Sequence, residues 1–142
     1  MSRLRQGNGD DYPEAAGKHL KDAGVLMTGS RPDGAAYLAG YVVECALKAL
    51  IQVQTGRGLR SHDLAGIRRS LGAIAAQAGP QTQRHFATAA ALLSNARILS
   101  WNPEMRYRAG GRVTSTVAGS WLQEAGAVYS RVIGGLRLDG VI

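Results

Sequence analysis

The longest apolar stretch of the chain, Pro32 to Gln54, has no polar face. Between Asp33 and Gln52 only Glu44 and Lys48 carry charge, and apolar or small residues point every way around a helical wheel. A helix of that kind is enclosed by other elements. The pattern therefore predicts a central helix, with Pro32 in its first turn, where a missing N–H costs nothing. Ala35, Gly40, Ala46 and Ala49 are small enough to let neighbouring helices come close. Tyr37, Tyr41, Glu44 and Lys48 fall along one polar-tipped stripe, and Glu44 and Lys48, one turn apart, can pair on it.

The flanking sequence keeps the same period. Ala16, Leu20, Ala23 and Met27 predict a first helix that starts near Tyr12, with Asp11 as N-cap, and stops at Gly29-Ser30-Arg31-Pro32. Ser61 is the expected N-cap of a third helix, whose stripe is Leu64, Ile67, Leu71, Ile74 and Ala78. Gly79-Pro80 closes it and opens a fourth, which is expected to run to Ser100. Its larger contacts are Phe86, Leu92, Leu93, Ile98 and Leu99. Trp101-Asn102-Pro103 ends that helix, because proline restricts the residue before it. Residues 104–113 are basic and contain glycine, the pattern of a mobile loop. A fifth helix is expected over Ser115–Ile133, with Val117, Trp121, Ala125, Val128 and Val132 inward and Gly134-Gly135 at its end. No strand pattern appears. The expectation is an all-α, up-and-down bundle of four main helices plus one. Residues 1–11 would be a flexible lead-in, 12–133 the bundle and 134–142 a tail.

Composition narrows the classes. The 142 residues suit one domain with its own core. One cysteine, Cys45, excludes an internal disulfide, and no Cys/His cluster suggests zinc. Mid-helix, Cys45 reads as a small buried hydrophobe. No Glu-x-x-His motif of a di-iron bundle occurs. Residues 1–11 lack the apolar core of a signal peptide, and no apolar run is read as a membrane span, so the expected location is the cytoplasm. The net charge of +7 lies in one segment: residues 57–112 hold nine arginines against Asp63 and Glu104. The guanidinium fork matches phosphate oxygens. The scatter of these arginines equally fits a solvated face.

The run Tyr37-Leu-Ala-Gly-Tyr-Val-Val-Glu-Cys-Ala-Leu-Lys48 resembles the second helix of bacterial and archaeal HEPN-domain proteins. Two shorter echoes follow, His62-Asp63-Leu64 and Trp101-Asn-Pro-Glu-Met-Arg-Tyr107, so the resemblance spans residues 12–133. It implies a helical bundle that pairs as a homodimer with its active groove between protomers. It also implies RNA as a ligand, and a separately encoded nucleotidyltransferase as a protein partner. Gly29-Ser30 is only a helix-ending turn and not a nucleotidyltransferase motif of this chain, since no strand or paired Asp accompanies it.

Nucleolytic members of that family carry an Arg, four to six residues, then a His. Arg57 and His62 fit that count, although Gly58 stands where the family has a polar residue and the match precedes the third helix instead of the last. The implied activity is a metal-independent endoribonuclease of toxin–antitoxin or defence type, with no cofactor. A histidine can move a proton at the 2′-hydroxyl or the leaving oxygen, and an arginine can stabilise charge growing on the phosphate. Glu44 is the third catalytic candidate, as a carboxylate that orients His62; the structural reading is a buried pair with Lys48. For His62 the structural reading is capping or packing at the third helix. Arg60, Arg97, Trp101, Arg106, Tyr107 and Arg108 are the candidate RNA-binding residues, with the aromatics as stacking platforms. The competing reading of that segment is a loop packed over the bundle with Trp101 buried. His19, placed on the wet face of the first helix, and His85 have no expected partner. The contrasting class of function is a non-catalytic interaction module that meets its partner through the central helix and the 101–112 loop.

Overall fold

The structure is a computed structural model describing residues 1–142. Five helices carry the fold: α1 (Tyr12–Thr28), α2 (Pro32–Thr55), α3 (Leu64–Ala75), α4 (Pro80–Leu93) and α5 (Ser115–Val128). α5 continues through a π-helical turn (Tyr129–Ile133) into a last short helix, α6 (Gly134–Leu138). The chain is all-α, with no strand. α2 is the shared neighbour of α1, α3, α4 and α5, and from Val42 to Gln52 every one of its residues is buried. Length and composition alone would let α2 cross a membrane, contrary to the sequence reading, but most of it is enclosed by the bundle.

Ala16 and Ala23 of α1 meet Ala35, Ala39, Val42 and Ala46 of α2 with no exposed surface left on any of them, so two helices of small residues pack closely. Asp11 caps α1 by accepting from the Glu14 N–H at 3.3 Å. The reversal into α2 places Ser30 at φ +57°, and the Arg31 N–H donates to the Leu26 carbonyl at 2.8 Å, which satisfies the helix end.

Several boundaries differ from the periodicity. Asp63, not Ser61, is the N-cap of α3 and accepts from the Gly66 N–H at 3.0 Å; Ser61 instead accepts from the Asp63 N–H at 3.1 Å. α4 stops at Leu93, well short of Ser100. Residues 97–100 form a separate 3₁₀ turn, because both oxygens of Glu124 on α5 accept there, from the N–H groups of Arg97 (2.9 Å) and Ile98 (2.8 Å). Gly134-Gly135 does not end the last helix. The π-helical turn adds a residue to one turn, so Val132 and Ile133 are both buried and the chain continues to Leu138. Gly135 admits the His85 ring, since a Cβ there would lie 2.9 Å from His85 Cε1. On α5 it is Ala118 that faces inward, and Val117 is exposed.

The two termini also take fixed places. The Gln52 side-chain amide donates to the Leu4 carbonyl at 3.0 Å, and the Ser2 hydroxyl donates to Asp11 at 2.7 Å, so residues 1–11 close over one end of α1 and α2. At the other terminus Arg3 donates to the Gly140 carbonyl at 2.8 Å, and Val141 and Ile142 pack against the core.

Candidate functional site

The polar stripe of α2 opens into a cleft of about 880 Å³. Its walls are the Gly9–Asp11 segment, the first turns of α1, the stripe itself and the connection from Leu59 to His62. The Tyr12 hydroxyl donates to the Leu59 carbonyl at 3.2 Å and ties two of those walls together. Gly58 belongs to the same closure. A Cβ there would fall 2.9 Å from the Gln6 amide oxygen and 3.0 Å from the Tyr12 hydroxyl, so a side chain at this position would have to displace them.

At the centre of the cleft lies Glu44, with 2 % of its side chain exposed. One oxygen, Oε1, accepts from Lys48 Nζ at 2.7 Å and meets His62 Nδ1 at 3.0 Å. Lys48 is as enclosed as the carboxylate, at 5 %, and its ammonium stands 5.7 Å from the centre of the Tyr12 ring. A buried charge must be compensated, and this one is compensated by an ammonium in hydrogen-bond contact. His62 differs: 57 % of its side chain is exposed, and Nε2 meets no protein partner. With Nδ1 donating to the carboxylate, Nε2 is left as the basic nitrogen, facing a cleft that also holds Lys18 and Arg60.

Aromatic rings extend the site along α2. Tyr41 stands 6.4 Å from His62 and 4.9 Å from Trp101, ring centre to ring centre, with both pairs edge to face. Burial first, then the Tyr37 hydroxyl 3.2 Å away, pushes the Tyr41 hydroxyl up to about 12, so it remains a hydrogen-bond donor at neutral pH. Burial likewise pushes the Cys45 thiol up to about 12, which makes it an unreactive part of the cleft floor. His19 is not on a wet face. Its ring is half-buried 5.6 Å from Tyr41, and that burial lowers its pKa.

The sequence-derived candidates separate into groups. Glu44, His62 and Arg60 share the cleft. Arg57 is exposed and does not line it. Trp101 cannot serve as a stacking platform, because it is buried against α2. Its Nε1–H donates to the Tyr37 carbonyl at 3.0 Å, and Gly40 makes the room, since a Cβ there would lie 2.1 Å from the indole. Gly40 therefore admits a side chain, not a neighbouring helix. Arg97 is exposed on its 3₁₀ turn and does not line the cleft. Arg106 and Tyr107 are exposed on a second 3₁₀ turn, Pro103–Tyr107, and Arg108 is exposed just after it.

The segment read as a mobile loop is fastened by Asp33. Its carboxylate accepts from the N–H groups of Gly111 (2.8 Å), Arg112 (3.1 Å) and Val113 (3.0 Å). The Gly111 bond is the leading cause that holds the Asp33 carboxyl below its ordinary range. Two features had no signal in the sequence reading. Lys18 enters the cleft from α1. His85, expected to lack a partner, lies buried with Nε2 2.6 Å from Asp139, just past α6, which also pairs with Arg84.

No group of three or more His, Cys, Asp or Glu side chains converges as a metal site. The family model of the HEPN domain matches residues 10–136, and the chain belongs to that family. No curated protein and no solved structure matches the chain.

Proposed function

We propose that this HEPN-family chain associates with RNA and cuts it without a metal ion, as an endoribonuclease of toxin–antitoxin or defence type acting as a cytoplasmic homodimer. The observation that carries this reading is the division of labour at His62. One nitrogen is held by a buried carboxylate, and the other is open to a cleft that holds Lys18 and Arg60 beside Asp10, Asp11 and Glu14.

In the proposed reaction His62 Nε2 takes the proton of a 2′-hydroxyl while Glu44 holds Nδ1–H and so fixes the tautomer. The 2′-oxygen forms a bond to the adjacent phosphorus, and the bond from phosphorus to the 5′-oxygen breaks. The departing oxygen takes its proton from His62 of a second copy. The products are a 2′,3′-cyclic phosphate and a 5′-hydroxyl end. Arg60 and Lys18 would hold the phosphate oxygens, a place the sequence assigns to Arg57.

The test is cleavage of an end-labelled structured RNA in EDTA by wild-type protein and by His62→Ala, at matched folding and oligomeric state. Cutting is expected in the first and absent in the second. Cutting that survives the substitution would remove His62 from the chemistry.

One observation favours a second reading. A single protomer brings only one imidazole and no Arg57 to the cleft, so an isolated copy lacks the second histidine that the proposed reaction uses. In that reading the domain is a non-catalytic interaction module, paired with a nucleotidyltransferase or another protein. Absence of cutting in the wild type would favour it.

A further inference from the structure

Tyr107 is the most exposed aromatic side chain of the molecule, at 73 %. An exposed aromatic on a long loop would carry little meaning, but this one sits on a short turn held at three points. Before it, the Trp101 indole is locked into α2 through the Tyr37 carbonyl. At its start, the Asn102 side chain caps the turn by accepting from the Glu104 N–H at 3.0 Å. After it, Asp33 grips three successive backbone N–H groups. The side chain at the tip is therefore presented by a rigid base.

Arg106 reinforces it. The guanidinium carbon stands 4.8 Å from the centre of the Tyr107 ring. That guanidinium is charged at neutral pH, like any arginine. A ring with a cation fixed against it attracts a second flat, electron-rich surface and supplies charge for a phosphate beside it. Arg108 and Arg112 follow in the same segment, and both are exposed.

The post is connected to the cleft. Trp101, which opens the segment, stands 4.9 Å from Tyr41 between ring centres, Tyr37 stands 5.2 Å from Tyr41, and Tyr41 stands 6.4 Å from His62. A chain laid along this ridge would meet the Arg106 guanidinium, aromatic rings and, in the cleft, Lys18 and Arg60. A duplex would keep its bases stacked inward and could not use Tyr107.

We infer that Tyr107, backed by Arg106 on the pinned 101–113 segment, is a preorganised stacking post for one unpaired RNA base, with the same strand continuing along Tyr37 and Tyr41 to His62. This rests on the reading of the cleft as an RNA site, and it adds that the strand entering the cleft is single.

The experiment is fluorescence anisotropy with a labelled twelve-nucleotide RNA, single-stranded or annealed to its complement. It uses the His62→Ala protein so that nothing is cut. Adding Tyr107→Ala is expected to weaken single-strand binding about tenfold, the scale of one lost base stack, and to leave duplex binding within about twofold. Tyr107→Phe should retain wild-type affinity, since the ring and not the hydroxyl does the stacking. Equal affinity of the Tyr107→Ala and parent proteins for the single strand, or an equal loss for single strand and duplex, overturns the inference. So does the absence of any RNA binding. The two readings separate cleanly: wild-type protein that fails to cut while Tyr107 still governs single-strand affinity defeats only the nuclease reading. Cutting indifferent to Tyr107 defeats only the stacking post.

Discussion

The molecule contains two histidine–carboxylate pairs, and they are built in opposite ways. At the cleft the carboxylate is buried and the imidazole is exposed: Glu44 is enclosed with Lys48, and His62 looks outward. Near the C-terminus the imidazole is buried, at 5 %, and the carboxylate is the more open partner, at 24 %. There His85 and Arg84 of α4 clasp Asp139, just past α6, so the pair fastens the end of the chain to the bundle. The same two groups at similar distance thus serve different ends. A buried carboxylate beneath an exposed ring orients that ring for a ligand. A buried ring behind a carboxylate holds two elements together. Which partner is in the solvent separates a reactive pair from a clasp.

The largest break in that contrast would come at Lys48. Lys48→Met leaves the Glu44 carboxylate enclosed without its ammonium and is expected to cost about 3–5 kcal/mol, read as a lower urea midpoint. Adding Glu44→Leu should return much of that loss, because an apolar pair of similar volume needs no compensation. A double variant no more stable than the single one would show that the charge itself is not the cost.

Next in size is the exchange of roles between the histidines. His85→Ala should cost about 2 kcal/mol from lost packing and an unpaired Asp139, and leave RNA cleavage unchanged. His62→Ala should change stability by less than about 1 kcal/mol, as an exposed side chain, while cleavage disappears. Urea unfolding of the two variants beside the cleavage assay gives the comparison directly, and the reverse pattern would refute the distinction.

The smallest effect is in acid. Arg84 first, then His85, holds the Asp139 carboxyl below its ordinary value of 3.8. A carboxyl lowered in the folded state adds stability that is fully present above its unfolded value and is lost as pH falls through the folded one. Between pH 6 and pH 3 the wild type should therefore lose more stability than Asp139→Asn, by urea unfolding at each pH. Equal losses would mean that the clasp is not electrostatic.

How much of this was readable beforehand follows from the range of each interaction. The enclosed character of α2, and the Glu44–Lys48 pair one helical turn apart, are local patterns and could be read directly. The fold class follows from them, and HEPN membership is carried by the same run of residues. The end of α4 was not legible, because the groups that reorganise residues 97–100 are the oxygens of Glu124, on another helix. The hydrogen bonding of the 111–113 segment depends on Asp33, far upstream in the chain. The sequence left Trp101 open between a stacking platform and a buried residue, because nothing local announces that Gly40 leaves a slot for it. Even the contact between Glu44 and His62 needs the turn after α2 to fold back. Sequence could name both residues but could not decide between orientation and capping. Lys18 and His85 were out of reach for the same reason, since each has its neighbours on another element.

α2 gives the molecule a fixed ruler. Its first turn carries Asp33, the next turns carry Tyr37 and Tyr41, and beyond them lies Glu44. A helix rises about 1.5 Å per residue, so the seven steps from Tyr37 to Glu44 set roughly 10 Å between the anchor of the Pro103–Tyr107 turn and the anchor of His62. Because the rod is enclosed along its length, that interval cannot stretch to suit a visitor. Anything that reaches both marks must already have the matching length, so the interior of the bundle acts as a gauge for what its surface will accept.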